Sequence, residues 1–209
     1  MNLEYYYWVF PKALSNKFCD DLIKHGNSQK DNAALIGGLT SDKKISKKEL
    51  KNIQKTRNSN VAWLDEEWIY KQIMPYVLEA NKRGGWNFDI NFSEPCQFTK
   101  YAPGQYYGWH CDSYDKPFNT PNFPKQHGKI RKLSVTCSLS DPSEYVGGEL
   151  EFNFNIPNKT KKENIRKCTE ILPKGSVVVF PSFVWHRVCP VIQGLRRSLV
   201  IWSLGYPFK

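Results

Sequence analysis

The sequence contains no Cys-x-x-Cys pair, no long apolar run, no internal repeat and no low-complexity tract. Each absence removes a class of protein. Without cysteines at knuckle spacing, a structural zinc site is disfavoured. Without roughly 18 consecutive apolar residues, no transmembrane helix is expected. The start of the chain, Met1-Asn2-Leu3-Glu4-Tyr5-Tyr6-Tyr7-Trp8, has no basic n-region and no small-residue cleavage site, so no signal peptide is expected. Six cysteines are scattered at 19, 96, 111, 137, 168 and 189, several in apolar, strand-like surroundings such as Val135-Thr136-Cys137-Ser138-Leu139. They read as buried, reduced thiols, and a cytoplasmic location follows as the expectation, with no membrane partner.

What is present is a globular composition. The chain has 209 residues, 40% hydrophobic and 14% aromatic, which suits a single domain with a sizeable core. Lysine and arginine number 30 against 20 acidic residues, a net charge of +10. Much of the excess is local: one cluster spans residues 43–51, and a second joins Lys159, Lys161 and Lys162 to Arg166 and Lys167. Such runs can attract nucleic acid or an acidic protein. They are more often solvated loop faces, and that reading is preferred here.

Two helices are expected before residue 85. Ser15 reads as the N-cap of the first, with Phe18, Cys19, Leu22 and Ile23 at helical spacing and Gly26 as its stop. The second runs from about Leu64 to Lys82, capped by Asp65, with Trp68, Ile69, Ile73, Met74, Val77 and Leu78 as its apolar stripe and Pro75 inside it. Residues 30–60 read as a lysine-rich loop. From residue 86 the pattern becomes period two, with strands expected at Phe88–Phe92, Gln97–Tyr101, Lys132–Leu139, Glu149–Asn153, Ser176–Phe180 and Arg197–Leu204. Pro/Gly turns separate them. The expected fold is mainly β with flanking helices, a sandwich or barrel in one domain: residues 1–85 as helical support, residues 86–209 as the β core.

Histidine is scarce, and that makes the four copies informative. His25 sits in a helix pattern and His127 in a Pro/Lys/Gly loop, so both read as surface or structural. His110 and Asp112 lie two apart, and residues i and i+2 of a strand share a face. His186 follows a run of β-branched and aromatic residues and can bring a third ligand from another strand. Two imidazoles and one carboxylate, without thiolate, form the facial triad that holds Fe(II) and leaves positions open. Ten residues on, Arg196 and Ser198 share a strand face while Arg197 points away. A guanidinium fork with a hydroxyl can bind a carboxylate. Tyr101 can offer a phenol to the same anion, and Trp202 can wall the cavity. The strand from Leu133 sorts apolar Leu133, Val135, Cys137 and Leu139 from small polar Ser134, Thr136, Ser138 and Ser140, and the polar face can be the inner one of a ligand-holding barrel.

The segments Tyr101-Ala102-Pro103-Gly104, Tyr107-Gly108-Trp109-His110-Cys111-Asp112, Gly147-Gly148-Glu149-Leu150 and His186-Arg187-Val188-Cys189-Pro190-Val191 resemble those of Fe(II)/2-oxoglutarate-dependent dioxygenases. The likeness is greatest to the prolyl-4-hydroxylase-like group, including PKHD-type hydroxylases and similar phage proteins, and covers about residues 86–205. The resemblance implies a double-stranded β-helix (jelly roll, cupin-like). It implies His110, Asp112 and His186 as catalytic iron ligands, and Arg196 as partner of the distal carboxylate of 2-oxoglutarate. Gly147-Gly148 is implied to be a structural strand-entry turn. Asp112 argues against the halogenase branch, in which a small residue replaces the carboxylate. Fe(II), 2-oxoglutarate, O2 and ascorbate are the implied cofactors and co-substrates, and succinate and CO2 the implied co-products. Tyr107, Trp109 and Trp202 are expected to shield the reacting centre. Three functions compete: hydroxylation of a peptide or protein, with proline as one target; oxidation of nucleic acid or a small metabolite; and a non-catalytic metal-binding jelly roll. The complete triad and clamp disfavour the last. The segment Ser113–Pro124 is expected to be either a lid beside the site or an irregular surface connection.

Overall fold

The computed structural model describes residues 3–30, 32–34, 53, 55–113, 115–155, 160 and 162–208. The basic stretch 43–51, and most of the segment 30–60 read as a loop, lie outside them. Two antiparallel sheets face each other. The larger runs in the order β1 (Trp8–Phe10), β12 (Val177–Pro181), β8 (Ile130–Ser138), β15 (Arg196–Gly205), β6 (Cys96–Tyr101), β4 (Asn60–Leu64) and β2 (Asn32–Ala33), with β5 (Phe92–Ser93) paired to the end of β15. The smaller runs β11 (Ile165–Lys167), β10 (Leu150–Asn153), β13 (Trp185–Val188), β7 (Tyr106–His110) and β3 (Arg57–Asn58). A ribbon of β9 (Tyr145–Gly147) and β14 (Val191–Gly194) stands apart. This is the expected jelly roll with helices on one side.

Helix α1 (Asn16–Ser28) starts where expected, with Ser15 Oγ accepting from Phe18 N at 3.1 Å. It runs two residues past Gly26, however. That glycine is a packing residue: a Cβ there would stand 2.5 Å from the Phe98 ring. The backbone of α1 therefore lies directly on β6. Helix α2 (Glu67–Arg83) starts later than expected, because Leu64 belongs to β4. Asp65 is not its cap; its carboxylate accepts the Tyr70 hydroxyl at 2.9 Å. Pro75 lies inside α2 without ending it. The buried stripe is Ile69, Ile73, Val77 and Ala80, while Trp68 and Leu78 are exposed.

Both helices cover the outer face of the larger sheet. Leu22, Ile69 and Ile73 pack in one cluster with Phe98, Leu133, Val135, Leu199 and Ile201. Burial of each such side chain is worth roughly 1.5–3 kcal/mol. A second cluster joins the sheets, with Leu150 and Phe152 of β10 against Val178 and Phe180 of β12. Strand β12 is thus apolar on both faces, which explains its unbroken Val177-Val178-Val179-Phe180 run.

Five expected strands are present within two residues of their expected ends. Of Phe88–Phe92, only Phe92 stands in a strand, as the first residue of β5. Phe88 is buried, but its N–H and C=O bond to the side chain of Asn81 on α2, both at 2.9 Å, rather than to a neighbouring strand. The alternation there reflects packing without a ladder. The part before residue 86 is also not all helical, since β1 and β4 are members of the larger sheet. Strand β1 is too short to carry a readable periodicity, and burial along β4 does not alternate. The cysteines at 19, 96, 137 and 168 are buried, those at 111 and 189 half-buried, and all six are free. Of the second basic cluster, Arg166 pairs with Glu170 at 2.7 Å and Lys167 with Glu149 at 2.9 Å. His25 meets Glu66 at 2.6 Å, and His127 accepts from Thr120 N, both structural roles.

Candidate active site

Strands β7 and β13 pair so that His110 stands opposite His186, with ring centroids 4.1 Å apart. Asp112 reaches the same point by a different route from the one period two suggests. It lies past the end of β7, where the backbone N–H groups of Asp112 and Ser113 both donate to Ser182 O, at 2.8 and 2.9 Å. That anchor turns the chain and delivers the carboxylate. Asp112 Oδ1 lies 3.7 Å from His110 Nε2, and Oδ2 lies 3.5 Å from His186 Nε2. One ligand atom from each residue falls within 4.8 Å of the others. Cys111 turns away, its thiol toward Ser113 O.

The three side chains suit a metal in detail. His110 Nδ1 lies 2.8 Å from Gly108 O and His186 Nδ1 lies 3.0 Å from Val184 O. A carbonyl only accepts, so both Nδ1 atoms carry the hydrogen and both Nε2 lone pairs are free. Asp112 Oδ2 accepts from Ser134 Oγ at 2.7 Å, and Ser134 Oγ lies 2.9 Å from Ser182 Oγ. Burial, then the neighbouring His186, pushes His110 down to about 3. Burial would raise Asp112, but the two imidazoles, Arg131 and the Ser134 bond outweigh it and bring it down to about 2. At neutral pH both ligands are in their metal-binding forms. Residues present and group implied fit: this is a donor set for Fe(II).

The triad opens on a cavity between the sheets. Arg196, Ser198, Val200 and Trp202 of β15 line one wall. Arg196 is buried, with Nη1 donating to Ser198 Oγ at 3.3 Å and its guanidinium 5.4 Å from the centre of the Tyr101 ring. Among the described residues no carboxylate pairs with it. Gly148 makes room for it: a Cβ there would lie 2.8 Å from Arg196 Cδ. Arg197 points the other way and pairs with Glu144 at 3.0 Å. The period-two reading of β15 therefore places Arg196, Ser198 and Trp202 around one space, and the pairing with β6 sets Tyr101 opposite Arg196.

Two expectations need correction or completion. Trp109 does not line the cavity; it lies under Arg187, whose Cζ is 4.7 Å from its ring centre. Tyr107 does line it, stacked on His110 at 3.5 Å and 12°. Sequence reasoning missed Arg57 and Gln97, both buried and cavity-lining. Gln97 was findable, sharing a face of β6 with Tyr101. Arg57, on a two-residue strand inside a lysine-rich stretch, gave no signal. The inner polar face of β8 is where it was suspected, with Thr136 in the cavity wall and Ser134 on Asp112.

Comparison with known proteins agrees with this geometry. The sequence profile of the 2OG-Fe(II) oxygenase superfamily matches residues 96–204. A PKHD-type hydroxylase of Shewanella baltica is 28% identical over 190 residues, 90% of this chain and 75% of that protein. The viral collagen prolyl hydroxylase of Paramecium Bursaria Chlorella virus-1, solved as a 2OG complex, shares 22% identity with a TM-score of 0.63, over 97% of each chain. A Trichoplax adhaerens prolyl hydroxylase, solved with a hypoxia inducible factor peptide fragment, shares 17% identity with a TM-score of 0.62, over 95% of this chain and 83% of that one.

Proposed function

Since the chain belongs to the 2OG-Fe(II) oxygenase superfamily, we propose that it hydroxylates a peptide or protein, with a prolyl carbon as the target. It is a 2-oxoglutarate-dependent dioxygenase, with Fe(II) held by His110, Asp112 and His186. With 2-oxoglutarate bound, the iron supplies the oxidation that inserts one oxygen of O2 into a substrate C–H bond while succinate and CO2 are released. The observation that carries the reading is the position of Arg196. It is a buried cation without a counter-ion among the described residues, in the same cavity as the triad. In this reading Arg196 and Ser198 take the distal carboxylate of 2-oxoglutarate and Tyr101 borders it, so the other end of that molecule faces the metal.

The remaining residues orient and shelter. Gly108 O and Val184 O fix the imidazole rings, and Ser134 holds one oxygen of Asp112. Tyr107, Leu150 and Val188 line the cavity around the triad and limit water. The peptide assignment is supported by the prolyl hydroxylases this fold resembles. It is also supported by an aromatic border: Trp63, half-exposed, lies 6.3 Å from Trp202, and flat indole faces suit a pyrrolidine ring. The test is incubation with Fe(II), 2-oxoglutarate and O2, followed by mass spectrometry of proline-containing peptide pools and, in parallel, of oligonucleotides. Succinate release with a gain of one oxygen on a peptide is expected. Oxygen gained only by the oligonucleotides would overturn the peptide assignment.

A further inference from the structure

One charged group in the cavity is left unused by this chemistry. The charged or metal-binding residues lining it are Arg57, His110, Asp112, His186 and Arg196. When iron and 2-oxoglutarate are bound, the metal's two positive charges and that of Arg196 face three negative ones, from Asp112 and the two carboxylates. Arg57 remains over. It is 5% exposed, and no carboxylate pairs with it among the described residues. Its Nε donates to Ser59 Oγ at 3.1 Å and its Nη2 to Gln97 Oε1 at 2.5 Å, both neutral acceptors. Its Cζ stands 4.5 Å from the centre of the Tyr107 ring, and Tyr107 in turn stacks on His110. The guanidinium is therefore held one ring away from an iron ligand.

The groups beside it are donors too. Gln97 spends its oxygen on Arg57 and, at 3.4 Å, on the Thr99 hydroxyl, which leaves its amide N–H groups to give. Trp202 Nε1 is a buried donor with no acceptor among the described residues, and Trp202 lines the same cavity. A buried cation costs stability unless its charge is met. A buried indole N–H without an acceptor adds to that cost. Both costs are relieved by a ligand that brings acceptors and a negative charge.

We infer that Arg57, with Gln97 beside it, is a carboxylate subsite for the prime substrate, so that the favoured substrate carries an acidic group close to the carbon that is oxidised. A carboxylate matches the planar guanidinium fork with two oxygens, which a single amide carbonyl does not. The inference rests on the oxygenase reading above. It is separate from the choice of peptide as substrate, because an acidic side chain, a peptide C-terminus and a small acid offer the same group. A purely structural role for Arg57, as a tie from β3 of the smaller sheet to β6 of the larger, would lower the melting temperature without changing preference among ligands.

The experiment has two arms. In the first, Zn(II)-substituted protein saturated with 2-oxoglutarate is titrated with acetate by saturation-transfer NMR. Arg57→Gln is compared with the parent. So is Gln97→Glu, which keeps the buried cation and gives it an internal carboxylate. Acetate binding is expected to weaken about tenfold or more in both variants, the size of a charge-assisted hydrogen bond. 2-Oxoglutarate affinity should stay within about twofold, since Arg196 is untouched. In the second arm, the iron enzyme is offered peptides with a central proline and either Glu or Gln at each flanking position. A preference for Glu at one position, lost in Arg57→Gln, is the expected result. Oxidation of no peptide, with the acetate arm as expected, would remove the peptide assignment and leave the subsite standing. Three results would overturn the inference: equal acetate binding in parent and variants, equal use of Glu and Gln peptides at every position, or a loss of 2-oxoglutarate affinity in Arg57→Gln as large as that in Arg196→Ala.

Discussion

The two faces of the larger sheet are made by the same strands and do opposite work. On β8 and β15 the outer residues Leu133, Val135, Cys137, Leu199 and Ile201 are all fully buried against α1 and α2. The inner residues Ser134, Thr136, Arg196, Ser198 and Trp202 look toward the smaller sheet, where Thr136 and the four-residue wall of β15 border the cavity. The helices collect the apolar burial on one side. The other side is then free to keep buried polar groups that reduce stability but bind ligands. The comparison teaches that stability and chemistry are separated by about one side-chain turn along each strand, not by distance along the chain.

If that separation holds, inner-face changes should remove activity without unfolding the protein, and outer-face changes should do the reverse. The largest effect is expected from His186→Ala or Asp112→Ala, which meet that inner face from the side of the smaller sheet. Each should abolish Fe(II) binding and succinate release while the melting temperature moves little, as read by metal titration and calorimetry. Next is Leu199→Ala on the outer face, expected to cost about 2–5 kcal/mol. That corresponds to roughly 2–4 °C in Tm per kcal/mol for a chain of this length. The kinetic constants of its folded fraction should match the parent; a change in KM for 2-oxoglutarate would break the separation.

Arg196→Ala should raise the KM for 2-oxoglutarate about tenfold or more, from the loss of a charge-assisted contact worth about 1.5–3 kcal/mol. Arg197→Ala, one residue along but facing Glu144, should leave that KM nearly unchanged, and equal effects from the two would refute the face assignment. Among the changes expected to lower affinity, the smallest is Ser134→Ala. It frees one oxygen of Asp112 and should weaken Fe(II) binding about tenfold, the lower end for a residue supporting a metal ligand. Unchanged metal affinity would mean that the backbone anchor at Ser182 holds Asp112 by itself.

The sequence by itself determined the metal ligands, the side of its strand on which Arg196 lies and most of the strands, because each has a local signature. A scarce residue type at His-x-Asp spacing is visible without a fold, and an alternating strand such as Lys132–Leu139 declares both faces at once. Period two also sorted Arg196 from Arg197 correctly, since a strand's side chains must alternate. What the tertiary structure alone decided are features whose partners lie far along the chain. Gly26 reads as a helix stop but is the point where α1 touches Phe98. Phe88 reads as the start of a strand but finds its hydrogen-bond partner in Asn81. Asp112 reads as the next rung of a strand but is delivered by a turn pinned to Ser182 O. Arg57 stands on a strand too short to have a period, and only its pairing with Tyr107 on β7 brings it into the cavity. The physical reason is common to all four. Periodicity reports which side of an element is buried, whereas the identity of the neighbour on that side depends on sheet order and register, set by contacts between distant segments.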